Sequence, residues 1–398
     1  MAKKSTKADG QKKAEKVYKK AKKTAKKHGK LRQFNVAVAI LLVLALIAGL
    51  VYYFVFYEPV EDKTQENLSG SFTFDTYVEE NLNNFSIIEN RGDLEVHYIN
   101  VGQADCILIL LPDGRNMLID AGGTGDYRTH LKEYLQKQGI KTIDYALLTH
   151  TDADHVESFD YVLDWCEVKN IFIPQLYPSY KAGTSDNRYT DITADRKVGV
   201  ISTREYYDFF TRADDETYVE NGAKYSAKVY ANAGFMNISG TGYEIDIYCM
   251  PASVYNKDFE EGNDALNKNE VSPSVLITYQ GKQFLFTGDA TGSSHENFMA
   301  MYKERNPNTD LDVDVYKVAH HGSAKEESNN KKFINEIESE YAVISVGDGN
   351  KYGHPHKEAV DNITAYSQFK KLYRTDKYGD VVFGVRDNKL YTPEQMAA

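Results

Sequence analysis

From Leu94 onward the chain alternates short apolar runs with polar breaks, and the texture of each run predicts its element. LEVHYINV and CILILLP read as β-strands separated by GQAD, and PDGRN is a turn before the strand-like MLIDAGG. RTHLKEYLQKQGI reads as a helix, TIDYALLTH as a strand, HVESFDYVLDWCEV as a helix and KNIFIPQL as a strand. Between Tyr177 and Gly242 the pattern loosens into a Tyr-rich polar stretch. It holds one helical piece, STREYYDFFTR, and one strand-like piece, AKYSAKVYANA, and is expected to be an insertion. YEIDIYCM, SVLITYQ, KQFLFTGD, VDVYKVAHHGS and EYAVISVGDGN follow, each an apolar strand running into a polar loop. The helix HKEAVDNITAYSQF and the strands KLYRTD and DVVFGVRDNKLYT close the pattern. Alternation of this kind predicts an α/β domain over 93–392.

The front of the chain is different. Phe34 to Tyr57 is a run of 24 residues without a charge. As a helix it would extend roughly 36 Å, enough to cross a hydrocarbon core of about 30 Å with some tilt. Tyr52, Tyr53 and Tyr57 fall at its far end, where aromatic rings favour the membrane interface. Residues 1–33 form a basic head with fourteen Lys/Arg and two acidic residues, net +12. With −11 for the whole chain, the remainder carries −23. Lysines in that position set topology and attract anionic lipid, so the head is expected in the cytoplasm and everything beyond Glu58 outside it. A cleaved signal peptide fits poorly, because the leader and the apolar run are too long and no small-x-small site follows. The expectation is a single-pass cell-membrane protein with an N-terminal transmembrane anchor at 34–57 and a polar, acidic stalk at 58–92.

Apolar content of 42% suits a globular core. Three scattered cysteines, Cys106, Cys166 and Cys249, make no disulfide framework, and the first and last sit in apolar runs as buried hydrophobes.

The chemistry gathers where strands end. ALLT runs into His150, Asp152, Asp154 and His155; FLFTG into Asp289; VYKVA into His320, His321, Gly322 and Ser323; AVISV, across a Gly-rich loop, into His354 and His356; and MLI into Asp120. In α/β folds binding groups converge at the C-terminal ends of strands. One such Asp or His is ordinarily a turn former or a surface residue, but five strand ends are hard to assign to packing. Within HTDADH, His150, Asp152 and Asp154 alternate in an extended segment and point the same way, while His155 opens a helix and points back. One loop can thereby feed two adjacent metal ions. Imidazole and carboxylate together suit zinc, and additional carboxylate shifts the preference towards manganese.

The segments HYINVGQADCILILLPDGRNMLIDAGG, LLTHTDADHVES, FLFTGDA, VAHHGS and YGHPH, in that order, resemble the metallo-β-lactamase superfamily. Within it the likeness is to the hydrolase domain of ComEC-type competence proteins of DNA uptake and its stand-alone relatives, leaving out much of 177–242. That branch carries HxDxDH, so Asp152 follows it while departing from the wider HxHxDH pattern. The resemblance implies an αββα metallo-β-lactamase sandwich with two divalent metal ions, Zn2+ or Mn2+, at one edge. Carried onto this sequence, His150 and Asp152 would serve the first metal and Asp154 and His155 the second. Asp289 would bridge them and His354 would complete the set. His320 or His321 would be a further ligand or an acid. Asp120 would orient a ligand, and Ser323 would hold a phosphate oxygen. Catalysis is accordingly expected to rest on Asp154, His320, His321 and Asp120. One departure stands out: KNEVSPSVLI offers Asn269 and Glu270 but no histidine, which leaves the first metal short of a ligand.

Two metals with a bridging hydroxide suit phosphodiester hydrolysis. The acidic body argues against a long nucleic-acid track, since Lys331–Lys332 and Lys370–Lys371 are only modest clusters. A teichoic-acid or choline-phosphate ester of the cell envelope therefore competes with DNA as substrate, with the tyrosines of 177–242 available for stacking. A catalytically silent, membrane-tethered binding module is the reading from another class.

Overall fold

The computed structural model describes Lys19 and residues 93–178, 200–201, 203–255 and 267–397. The expected anchor at 34–57 and stalk at 58–92 lie outside these residues. Among the described residues no helix is long and apolar enough to cross a membrane.

Two mixed sheets form the frame. The first has eight strands. In chain order these are β1 (Leu94–Tyr98), β2 (Cys106–Leu110), β3 (Asn116–Ala121), β4 (Thr142–Leu147) and β5 (Glu167–Pro174), then β10 (Lys228–Asn232), β18 (Val381–Arg386) and β19 (Lys389–Tyr391). They lie in the order β10-β5-β4-β3-β2-β1-β18-β19. The second has seven: β11 (Phe235–Gly240), β12 (Tyr243–Tyr248), β13 (Ser274–Tyr279), β14 (Lys282–Phe286), β15 (Val315–Lys317), β16 (Tyr341–Ile344) and β17 (Lys371–Arg374), paired in chain order. Two short pairs stand apart, β6 (Tyr177–Pro178) with β7 (Val200–Ile201) and β8 (Thr217–Glu220) with β9 (Ala223–Ser226). The outer part of each sheet is antiparallel. The runs β3-β4-β5-β10 and β14-β15-β16-β17 are parallel, so each brings its strand ends to a common edge.

Three cores define the layers. Between the sheets, Val96, Tyr98 and Ile119 meet Ile245, Ile277 and Phe284. Outside the first sheet, Leu108, Leu118 and Val168 pack against α1 (Asp126–Lys137), α3 (Phe159–Trp165) and α4 (Arg204–Asp215), with the four-residue α2 (Ala153–Val156) leading into α3. Outside the second, Leu276, Leu285 and Tyr316 pack against α5 (Gly292–Arg305), α6 (Lys331–Ile337) and α7 (Lys357–Thr364). This is an α/β fold of the metallo-β-lactamase-like kind, with mixed sheets between helical layers. Each Phe or Leu buried in these layers contributes roughly 1.5–3 kcal/mol.

Several sequence expectations change in detail. Within the stretch 177–242, expected to be an insertion, β10 joins the first sheet and β11 the second, while β8 and β9 pair with each other. Tyr206, Phe209, Phe210 and Ala213 recur along one face of α4 and are buried in the first outer core. The strand piece AKYSAKVYANA divides, its first half pairing in the β8–β9 hairpin and its second half adding β10 in parallel to β5. HVESFDYVLDWCEV likewise divides into α2, α3 and the start of β5. The helix α5 was not foreseen, since GSSHEN gives it a polar first turn; Thr291 and Ser294 close that end in a capping box. All three cysteines are free and buried.

Candidate metal centre

The segment LLTHTDADH leaves β4 at the shared edge. Asp120, at the end of β3, fixes it: Thr149 donates to Asp120 from its amide and from its hydroxyl, each at 2.8 Å. The same carboxylate accepts from His155 Nδ1 at 2.7 Å, with Asp120 held at φ 57°. Positive φ in a non-glycine residue costs about 1–3 kcal/mol and concentrates at functional sites. The His155 ring is thereby oriented with Nδ1 on Asp120, and its Nε2 stands 3.2 Å from Asp289 Oδ1. The loop can come this close to β3 because Gly122 has no side chain; a Cβ there would meet the Asp154 carbonyl oxygen at 1.9 Å.

Asp289 follows β14 through Gly288, whose φ of 51° and closeness to Thr149 leave no space for a Cβ. Its Oδ2 lies 4.0 Å from His150 Nε2 and 3.6 Å from His320 Nε2, and its Oδ1 lies 3.8 Å from His321 Nε2. His320 and His321 both hold left-handed backbone, φ 50° and 52°, directly after β15. The turn aims His321 inwards: its Nδ1 donates to the Ser345 carbonyl at 2.8 Å, and its Nε2 faces Asp154 at 3.3 Å. His320 remains partly open to solvent, with a side chain 20% exposed.

Electrostatics divides these groups. Burial lowers the pKa of His150, and His155 beside it adds to the effect, so His150 is a neutral donor. Burial also disfavours charge on His155 and His321, but Asp289 outweighs it in both, aided by Asp120 at His155 and by Asp105 at His321. His155 is raised well above the usual imidazole range and His321 to about 9. Burial alone would raise the carboxyls of Asp154 and Asp289. The imidazoles facing them prevail and hold both well below the ordinary carboxylate range.

The Nε2 atoms of His150, His155 and His321 and the Oδ1 atom of Asp289 are buried without a hydrogen-bond partner. Buried polar atoms are rarely left so. They converge: His150, His155 and Asp289 bring ligand atoms within 4.8 Å of one another, and so do Asp154, His155 and His321. Imidazole nitrogens whose rings are held through Nδ1 by Thr149, Asp120 and the Ser345 carbonyl, together with carboxylate oxygens, are the donor set of a divalent zinc- or manganese-type ion. The residues therefore fit such an ion.

The other expected residues lie around this group. Asp152 stands at the N-terminal boundary of α2, places Oδ2 3.8 Å from His150 Nε2 and binds the ammonium of Lys268 with Oδ1. His354 joins none of the converging groups among the described residues. It stacks on Tyr352 with its ring centroid 5.6 Å away, lies 3.4 Å from Gln103 Nε2 through Nδ1, and is lowered to about 4 by burial and the neighbouring histidines. Ser323 is fully buried, and its hydroxyl accepts from the Lys325 amide at 3.1 Å, so it shapes the HHGS turn and does not face solvent. His356 accepts from the Ala324 amide at 2.9 Å. Sequence reasoning passed over Asp105, which GQAD presented as a mere break. Its Oδ1 lies 3.4 Å from His321 Nδ1, and its Oδ2 lies 2.7 Å from Lys317 Nζ. It also passed over Lys268; a charged residue in the stretch lacking a histidine was the available signal.

Residues 99–225 match the family model of the metallo-beta-lactamase superfamily. The resemblance read from the motifs stands. Among curated proteins the chain is similar to ComE operon protein 3 of Bacillus subtilis, 26% identical over 305 residues, covering 73% of this chain and 33% of that protein. It is also similar to competence protein ComA of Neisseria gonorrhoeae, 24% identical over 300 residues, covering 75% of this chain and 33% of that protein. The chain thus spans about a third of the length of the curated relatives it matches. Among solved structures it is similar to the metallo-beta-lactamase fold protein YhfI of Bacillus subtilis. That likeness has a TM-score of 0.40 and 9% identity, and covers 73% of this chain and all of the other.

Proposed function

We propose that this chain is a metal-dependent hydrolase of phosphodiesters, held at the cell membrane by residues 34–57 with its catalytic domain on the extracytoplasmic side. The observation that carries the reading is the convergence of orphaned imidazole nitrogens from His150, His155 and His321 on Asp289 and Asp154. His155, His321, Asp154 and Asp289 would hold one divalent ion, Zn2+ or Mn2+, and His150 with Asp289 and Asp152 would hold a second. A bound ion supplies Lewis acidity towards a phosphoryl oxygen and lowers the pKa of a water molecule.

The chain's own groups do the rest. Asp120 and the Ser345 carbonyl hold the His155 and His321 rings so that their Nε2 atoms need no reorganisation. His320, the partly open histidine of the set, is placed to carry a proton at Nε2 to the departing oxygen. A phosphodiester suits the site because it brings one anionic oxygen to a centre rich in imidazole. The net charge of −23 outside residues 1–33 favours a compact envelope phosphoester over a long nucleic acid, which needs a basic track.

The test is hydrolysis of a generic aryl phosphodiester by the metal-loaded full chain, beside Asp154→Ala and Asp289→Ala. A panel of DNA, RNA and choline-phosphate esters then separates the substrates.

A further inference from the structure

The turn Asn267–Ser272 is fastened against the metal centre at several points. The Asn267 side chain accepts from the Asn269 amide at 3.1 Å, and Asn269 Nδ2 donates to Glu326 at 3.1 Å. Ser294 Oγ donates to the Glu270 carbonyl at 2.9 Å, and Ser272 Oγ accepts from the Asp289 amide at 3.3 Å. Lys268, at the start of this turn, is therefore directed by its backbone, and its ammonium lies on Oδ1 of Asp152. On the other oxygen of that carboxylate, 3.8 Å off, stands the orphaned Nε2 of buried His150. A cation thus occupies the carboxylate that a metal at His150 would need, and Asp152 joins none of the converging ligand groups among the described residues. Among the described residues no lysine ion-pairs with Asp154 or Asp289 in the opposite half of the centre; Lys317 there is held by Asp105, behind the Nδ1 side of His321.

We infer that the Lys268 ammonium stands in for the first metal beside Asp152, so that the protein holds one tightly bound divalent ion and admits a second only by displacing Lys268. This rests on the metal-centre reading above. The physical cause is repulsion: a fixed positive charge a few ångströms from the site of a dication opposes its entry, and its hold on Asp152 removes a ligand. Replacing the ammonium by an apolar chain of similar length frees both.

The experiment is equilibrium dialysis of the full-length chain against Mn2+, with bound metal counted across the titration and Mn2+ electron paramagnetic resonance of each sample. Wild type is expected to bind one equivalent and give the six-line spectrum of an isolated ion. Lys268→Met should bind two, its second class tighter than in wild type by at least about tenfold, with a spin-coupled spectrum. Lys268→Arg keeps the charge and should remain at one. Two equivalents of equal affinity in wild type, or one equivalent in both wild type and Lys268→Met, overturns this inference and leaves the hydrolase reading standing. No bound metal in any of the three overturns both.

Discussion

Lys317 Nζ sits 2.7 Å from Asp105 Oδ2, and neither side chain reaches solvent. The pair lies directly beneath His321, whose Nδ1 is 3.4 Å from the other Asp105 oxygen. Removing either partner would leave the other as an uncompensated charge in the core. Lys317 also donates to the Val318 carbonyl at 3.0 Å, which ties the pair to the strand that delivers the HHGS turn. Lys317→Met should therefore cost about 3–5 kcal/mol of stability, the range for breaking a buried pair from one side. Urea denaturation of the metal-free protein measures it, and a loss below about 1 kcal/mol would mean that the pair does not hold the fold at this point.

Asp120 acts through His155. Asp120→Asn keeps the shape but weakens the acceptor that sets the His155 tautomer, and metal affinity should fall about 10- to 100-fold. Competition against a chromophoric chelator reads this directly. Unchanged affinity would place the ring under the control of packing alone.

Proton competition sets the pH dependence. Burial lowers His321 while Asp289, Asp105 and Asp154 raise it, and the outcome is about 9 in the metal-free protein. The ring must lose its Nε2 proton to ligate, so apparent metal affinity should rise as pH increases from about 6 to about 9. The stability of the metal-free protein runs the other way. A raised imidazole contributes stability that is complete below its unfolded value near 6.5, and this is lost as pH rises through 9. Chelator competition and thermal unfolding across that window should show opposite slopes, both reduced in His321→Gln.

Gly122→Ala tests the close approach of β3 to the ligand loop. The added Cβ would meet the backbone oxygen of Asp154 at 1.9 Å, and that oxygen also accepts from the Asp105 amide at 3.0 Å. The loop must shift, at a cost of at least about 1–3 kcal/mol, and metal binding should weaken with it. Denaturation and metal content measured on the same sample separate the two effects.

What was legible in the sequence follows from this geometry. Strand ends bearing Asp120, His150, Asp289 and the HHGS pair announced themselves because an apolar run ending in a polar ligand is a local pattern. The choice between His320 and His321 was not local. Adjacent residues in HHGS differ only by the left-handed turn that sends His321 onto Asp154 and leaves His320 facing out. The loop after β16 meets His321 through a carbonyl, that of Ser345, and a carbonyl has no sequence signature. Asp105 and Lys317 were hidden for a related reason: each alone reads as a turn residue or a strand-end charge, and only their meeting across the two sheets shows that both are buried. The helix α4 and the strands β10 and β11 lie in the Tyr-rich polar stretch 177–242, whose texture does not single out their buried faces. Tertiary burial of Tyr206, Phe209 and Phe210 outweighs that polarity.

The most direct measurement is hydrolysis of an aryl phosphodiester by the full chain, stripped with chelator and reloaded with Mn2+ or Zn2+, in parallel with Asp154→Ala and Asp289→Ala. Activity that disappears on stripping, returns on reloading and falls at least about 100-fold in both variants is the expected result. Activity indifferent to chelator, or equal in wild type and the two variants, would contradict a metal centre built on His155, His321, Asp154 and Asp289.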